Sequence, residues 1–140
     1  LCVGFGVACR LAGAEMADET ARLSGYRDLF LARLTAALPD ITVNGSMERR
    51  IAANLNVTIP GIETADLLSG LGGLSVSTGS ACSSGAGSYS HVLRALGHAP
   101  DRVAASVRVG FGRFTTEEET RAAADMLIRA VRRLRDPGGG

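Results

Sequence analysis

The chain has 140 residues, enough for one domain with a real core and too few for two comfortable ones. Apolar residues make up 46% but aromatics only 4%, with no Trp, so the core must be built from Leu, Val, Ile and Ala. A formal net charge of +1 offers no strong field to nucleic acid or a membrane surface, and no direct partner of either kind is expected. Every basic side chain is Arg; there is no Lys. Cys2, Cys9 and Cys82 form no C-x-x-C pair, which excludes a zinc knuckle or a thioredoxin-like site and suits a reduced, cytoplasmic setting. No apolar run reaches the length of a membrane span. The start, LCVGFGVACRLAGAEM, lacks a basic region ahead of its apolar residues and an initiator Met, so the chain is expected to be a piece of a longer protein rather than one opening on a signal peptide.

In chain order, Val7, Leu11, Ala14, Ala21, Leu29, Leu34 and Leu38 follow a loose helical period, predicting a helix from about Val7 to Leu38. Ser24-Gly25 is a point where it could bend, and Pro39-Asp40 stops it. ITVNGS (41–46) reads as a short strand and turn, and AANLNVTIPG (52–61) as a second strand closed by Pro60-Gly61. ETADLLSGLGG (63–73) is a short helix with a glycine stop, and LSVSTG (74–79) a strand. The loop carrying Cys82 (77–88) leads into a helix, SYSHVLRALG (88–97), with Ser88 as its expected N-cap and Gly97 just past its end. AASVRVGFG (104–112) is a further strand. The last helix opens on Thr115-to-Glu118 or Thr116-to-Glu119 capping-box spacing. The tail after it, 137–140, is expected to fray. This order predicts an α+β fold: a small, largely antiparallel sheet covered by helices, with a long N-terminal helix (1–38) preceding a small domain (39–136).

Two residues stand out chemically. Cys82 lies in TGSACSSGAGS, where Gly79, Gly85 and Gly87 permit many backbone conformations and small neighbours leave the sulfur uncovered. That suits a thiolate nucleophile that must reach a target; the same pattern also fits a Gly/Ser loop with an incidental cysteine. The spacing fails the G-x-x-x-x-G-K-[ST] phosphate cradle, which also needs a Lys. Arg108 sits in SVRVG, where Val107 and Val109 share one face and Arg108 projects to the other. There it could hold a carboxylate through two parallel hydrogen bonds, or be an ordinary surface arginine. Arg113 carries the same ambiguity, with pairing to the acids that follow as its plain alternative. His91 and His98, a helical period apart, lack further ligands in metal-site spacing, so no metal is expected. Cys2 and Cys9 read as small packing residues of the first helix.

SVSTGSACSSG, then SHVLRALG, then SVRVGFGRFTTEEE resemble the C-terminal part of a cysteine desulfurase, a pyridoxal-phosphate enzyme of the class V aminotransferase family. NLNVTIPGIETADLL and GFGVACRLAGAEM resemble it too, so the likeness covers nearly the whole chain. One departure is GAGSYSHVL, where family members often carry an acidic residue and a Pro.

The resemblance implies the small domain of a fold-type I enzyme, with the long first helix bridging to a larger domain before Leu1. It implies sulfur transfer from L-cysteine to Cys82 as a persulfide, release of L-alanine, and delivery to an acceptor or scaffold protein for iron–sulfur cluster assembly or tRNA thiolation. Arg108 matches the position that binds the substrate carboxylate, and Cys82 gains a further role as a transient iron–sulfur ligand. The cofactor lysine would lie before Leu1, so the chain by itself is expected to be inactive and the intact protein a homodimer. A cofactor-free persulfide carrier, or a non-enzymatic interaction module, are the alternative readings.

Overall fold

The computed structural model describes residues 1–77 and 90–136. Helix α1 runs from Cys2 to Ala37, straight through Ser24-Gly25, and is followed by β1 (Thr42–Val43), β2 (Asn54–Thr58), α2 (Thr64–Gly70), α3 (His91–Ala95), α4 (Pro100–Ala104), β3 (Ser106–Gly110) and α5 (Glu117–Arg135). The strands form one antiparallel sheet in the order β1-β2-β3, with Val57 opposite Val107 and Asn56 opposite Arg108. The expected α+β architecture is the observed one.

One face of the sheet is the core. Leu55, Val57, Val107 and Val109 are buried there, and Phe30 and Leu34 of α1 and Ala124, Leu127 and Val131 of α5 join them in one cluster. Phe30 meets Phe111 edge-on, with ring centroids 5.7 Å apart. This packing holds α1 continuous past Gly25, whose intrinsic cost in a helix is only about 1 kcal/mol. The stripe that buries is Leu23, Arg27, Phe30 and Leu34. Val7 and Leu11 of the expected stripe are exposed, as are Ala14 and Ala21. Apolar residues fall on every side of this helix, so spacing alone does not single out the face that packs. Val3, Phe5, Val7, Leu11 and Met16 all stand exposed along its first half, which projects beyond the core.

Local signals place several boundaries. Thr116 caps α5: its hydroxyl accepts from the Glu119 backbone N–H at 3.1 Å, and the Glu119 carboxylate accepts from the Thr116 N–H at 2.9 Å. That is the second of the two expected registers. Gly97 follows α3 at φ +81°, a conformation that favours glycine. The observed N-cap of α3 is Ser90, whose hydroxyl accepts from the Leu93 N–H; the expected cap, Ser88, lies outside the described residues. Helix α4 has no counterpart among the expected elements, although Pro100 in its first turn, followed by Asp101, is a usable start signal. The described part of the expected 74–79 strand contributes a single bridge, at Ser77. Leu74 and Val76 pack against the core instead of extending the ladder.

Arg135 ties the end of α5 to the rest of the fold, donating to the Asp40 carboxylate (2.7 Å) and to the Pro60 carbonyl. Its hydrogen bond holds the Asp40 carboxyl below the usual carboxylate range. A depressed folded-state value means the contribution is present above the unfolded pKa, about 3.9, and is lost as pH falls through the lower folded value. Asp40→Asn is therefore expected to be less stable than the parent chain at pH 6, with the difference closing below about pH 4. Urea titrations at the two pH values check it; a difference that grows on acidification contradicts the pairing.

Candidate functional site

The sheet face opposite the core is polar, and it is built around Asn44. This side chain is 3% exposed, just past β1. Its amide nitrogen lies 2.8 Å from Asn56 Oδ1, 2.9 Å from Thr58 Oγ1 and 3.1 Å from Ser106 Oγ. Its amide oxygen accepts from the Arg102 guanidinium, through Nε at 3.2 Å and Nη2 at 3.0 Å. The Ser106 hydroxyl donates to the Arg102 carbonyl at 2.6 Å. Alternation explains the arrangement: Asn56 and Thr58 of β2 and Ser106 of β3 point away from Leu55, Val57 and Val107. Buried polar groups need partners, and these supply one another. Arg50 flanks the cluster, donating to the Ser46 and Asn44 carbonyls. Burial, and after it the nearby Arg27 cation, pulls its pKa below the ordinary guanidinium value.

Arg108 lies on this polar face, half-buried, as strand alternation predicts. It stands between two directly opposed neighbours, Asn56 on β2 and Ser77 on the other side of β3. Its Nη2 donates to the Ser77 hydroxyl at 3.2 Å. Among the described residues no carboxylate pairs with Arg108, in contrast to Arg33, Arg113, Arg121 and Arg135. A guanidinium carries five N–H donors in a fixed fork, so donors remain for an incoming anion. Cys82 and the loop around it lie outside the described residues.

The other candidates are placed differently from expectation. Arg113 pairs with Glu15 (3.0 Å) and Glu19 (3.1 Å) of α1, not with the acids that follow it. Two of those acids are committed elsewhere: Glu119 to the Thr116 cap and Glu117 to Arg121. Cys2 and Cys9 are exposed rather than packed, because the half of α1 that carries them extends past the core. His91 opens α3, exposed, whereas His98 follows the Gly97 stop and donates its backbone N–H to the Leu93 carbonyl. They are not on one helix face. Among the described residues no group of three His, Cys, Asp or Glu side chains could hold a metal ion, and no helix is long and apolar enough to cross a membrane. An open cleft of about 710 Å³ involves Thr58, Ile62, Glu63, Asp101 and Arg102 but not Arg108. Sequence reading passed over Asn44, Asn56 and Ser77 as site residues. The only signal for Asn56 and Ser77 is strand alternation, and it does not reveal which residue stands opposite Arg108.

No family model matches this chain. It is 46% identical over 134 residues to the cysteine desulfurase IscS of Pseudomonas aeruginosa, covering 96% of this chain and 33% of that protein. It is 42% identical to the mitochondrial cysteine desulfurase of Arabidopsis thaliana, covering 96% of this chain and 30% of that protein. The chain thus spans about a third of the length of the curated relatives it matches. In three dimensions it resembles a NifS-like protein from Rickettsia africae, with a TM-score of 0.74 at 20% identity over 95% of this chain and 33% of that one. A second NifS-like protein matches with a TM-score of 0.72 at 19% identity, over 87% of this chain and 30% of that one. At those identities the structural likeness speaks for the fold alone.

Proposed function

The chain belongs to the cysteine desulfurase family as a segment of it, and from that premise we propose that it is the C-terminal part of an enzyme that moves sulfur from L-cysteine onto Cys82. The observation that carries this reading is the 46% identity to a cysteine desulfurase across 96% of the chain. In the proposed reaction the Cys82 thiolate bonds to the substrate sulfur as the carbon–sulfur bond breaks. The sulfur stays on Cys82 as a persulfide, and the three-carbon remainder takes up a proton and leaves as L-alanine. The persulfide then passes to an acceptor or scaffold protein serving iron–sulfur cluster assembly or tRNA thiolation, in the cytoplasm. Residues 1–38 act as a bridging helix to a larger preceding domain, and 39–136 form the small domain of a homodimeric enzyme. The exposed apolar side chains along the first half of α1 support the bridging role, since a helix apolar all round is normally buried.

Family membership implies pyridoxal phosphate, which supplies an electron sink when bound. This chain's residues do not fit its attachment. The resting cofactor is held by a lysine amine, and every basic side chain here other than histidine is a guanidinium that stays protonated. The chain alone, given pyridoxal phosphate and L-cysteine, is therefore expected to release no sulfide above the level of a Cys82→Ser control. Cys82-dependent turnover by the isolated chain would refute the assignment of the cofactor to another domain.

Arg108 is the proposed anchor of the substrate carboxylate. Its strand backbone is fixed, it lies half-buried on the polar face, and no described carboxylate competes for it. Loss of a charge-assisted bidentate contact costs about 2–3 kcal/mol, so Arg108→Ala in the full-length protein is expected to raise KM for L-cysteine roughly 30- to 150-fold. Steady-state sulfide release checks this, and an unchanged KM returns Arg108 to the status of a surface arginine.

A further inference from the structure

We propose that Ser77 is a positioning residue that aims the Arg108 guanidinium at the substrate carboxylate; the inference rests on the reading of Arg108 as the carboxylate anchor. Its basis is a reciprocal pairing. The Ser77 N–H donates to the Arg108 carbonyl at 3.1 Å, and the Arg108 N–H donates to the Ser77 carbonyl at 2.7 Å. Residues opposed in this way carry their side chains on the same face, close together. The Ser77 hydroxyl therefore meets the guanidinium without a search through rotamers, and it accepts from Nη2 at 3.2 Å.

The chemistry of the acceptor matters. A free arginine side chain carries substantial rotamer entropy, which a substrate would otherwise have to overcome on binding. Restraining one Nη in advance reduces that cost, the general route by which preorganisation raises affinity. A carboxylate in the position of Ser77 would restrain the fork more strongly, but it would neutralise the charge and compete with the substrate. A hydroxyl orients the group and leaves its charge available. Asn56, opposed to Arg108 from the other side, has its amide oxygen committed to Asn44, so that oxygen is not the restraint. Ser77 also precedes Cys82 by five residues, so the residue that aims the anchor lies at the start of the segment that carries the thiol.

The test uses the full-length protein with four substitutions: Ser77→Ala, Ser77→Val, Ser77→Thr and Arg108→Ala. Val and Thr have nearly the same shape and strand preference, so the pair isolates the hydroxyl and guards against a folding defect in any one variant. Ser77→Ala and Ser77→Val are expected to raise KM for L-cysteine roughly five- to tenfold with kcat within about twofold, while Ser77→Thr stays near the parent value. Calorimetric binding of L-alanine, which shares the carboxylate and lacks the thiol, is expected to weaken by the same factor. A large effect of Arg108→Ala together with an unchanged KM in Ser77→Val overturns the role of Ser77 and leaves the anchor standing. A fall in kcat at constant KM in the Ser77 variants also overturns it, by assigning the residue to the thiol segment. An unchanged KM in Arg108→Ala overturns the anchor, and the Ser77 proposal with it.

Discussion

Full-length protein carrying Cys82→Ser is expected to release no sulfide from L-cysteine above background, a loss of roughly 10³-fold or more, as when a covalent catalyst loses its nucleophile. A thiolate attacks sulfur readily and can hold a second sulfur atom as a persulfide; a serine hydroxyl is almost wholly protonated near neutral pH and cannot form that product. Cofactor binding is expected to survive, since a thiol is not needed to hold it and this chain has no lysine for its attachment. The two other cysteines provide the internal comparison. Cys2 and Cys9 are exposed on α1, whose early half stands away from the sheet, so Cys2→Ser and Cys9→Ser should each retain most activity. Mass spectrometry after a single turnover should find the added sulfur on the peptide containing Cys82. Added sulfur on Cys2 or Cys9, with none on Cys82, would sink the assignment.

The second large effect concerns stability. Phe30→Ala is expected to cost about 3–5 kcal/mol, the range for deleting a fully buried aromatic side chain. Phe30 is 0% exposed and packs edge-on against Phe111 beside β3. Removing its ring leaves a cavity where α1, the sheet and α5 converge, and the rigid elements around it can only partly collapse. Against a typical total of about 5–15 kcal/mol, that is a large share of the folding free energy. Urea unfolding of the chain should show a lower midpoint with little change in slope. Phe5→Ala is the control. Phe5 is on the same helix but 74% exposed, so its loss should change stability by no more than about 0.5 kcal/mol. Equal costs at the two positions would mean that the first half of α1 is packed within this chain. A cost below about 1 kcal/mol at Phe30 would contradict the described core.

Both effects bear on how the two ends of α1 differ. Its second half is integral to the domain, with Leu23, Phe30 and Leu34 in the core and Arg33 paired to Asp125 of α5. The first half makes its polar contacts through Glu15 and Glu19, which receive Arg113 from the loop after β3. Arg22 donates to the Arg113 and Thr115 carbonyls of the same loop. The loop that follows the Arg108 strand is thus tied to α1 just where that helix leaves the core.

What the sequence by itself determined is what depends on near neighbours in the chain. A capping box opening α5 closes within four residues, with only the choice between its Thr115 and Thr116 registers left to the structure, and the Gly97 stop needs only its own backbone freedom. Strand alternation alone places Val107 and Val109 in the core and Arg108 on the other face. The absence of lysine is a matter of composition, and it leaves the chain no lysine amine for a Schiff base whatever the fold. Tertiary structure decided whatever depends on register between distant segments. Ser77 stands opposite Arg108 because a bridge pairs segments 31 positions apart, and Arg113 meets Glu19 across 94 positions. Asn44 became a hub because β1, β2, β3 and α4 bring Asn56, Thr58, Ser106 and Arg102 around it. In α1, apolar residues lie on every side, so the buried stripe was chosen by where α5 and the sheet sit. Periodicity reports that a helix or strand can bury a face; which partner covers that face, and which side chain stands across from which, is set when remote segments pack.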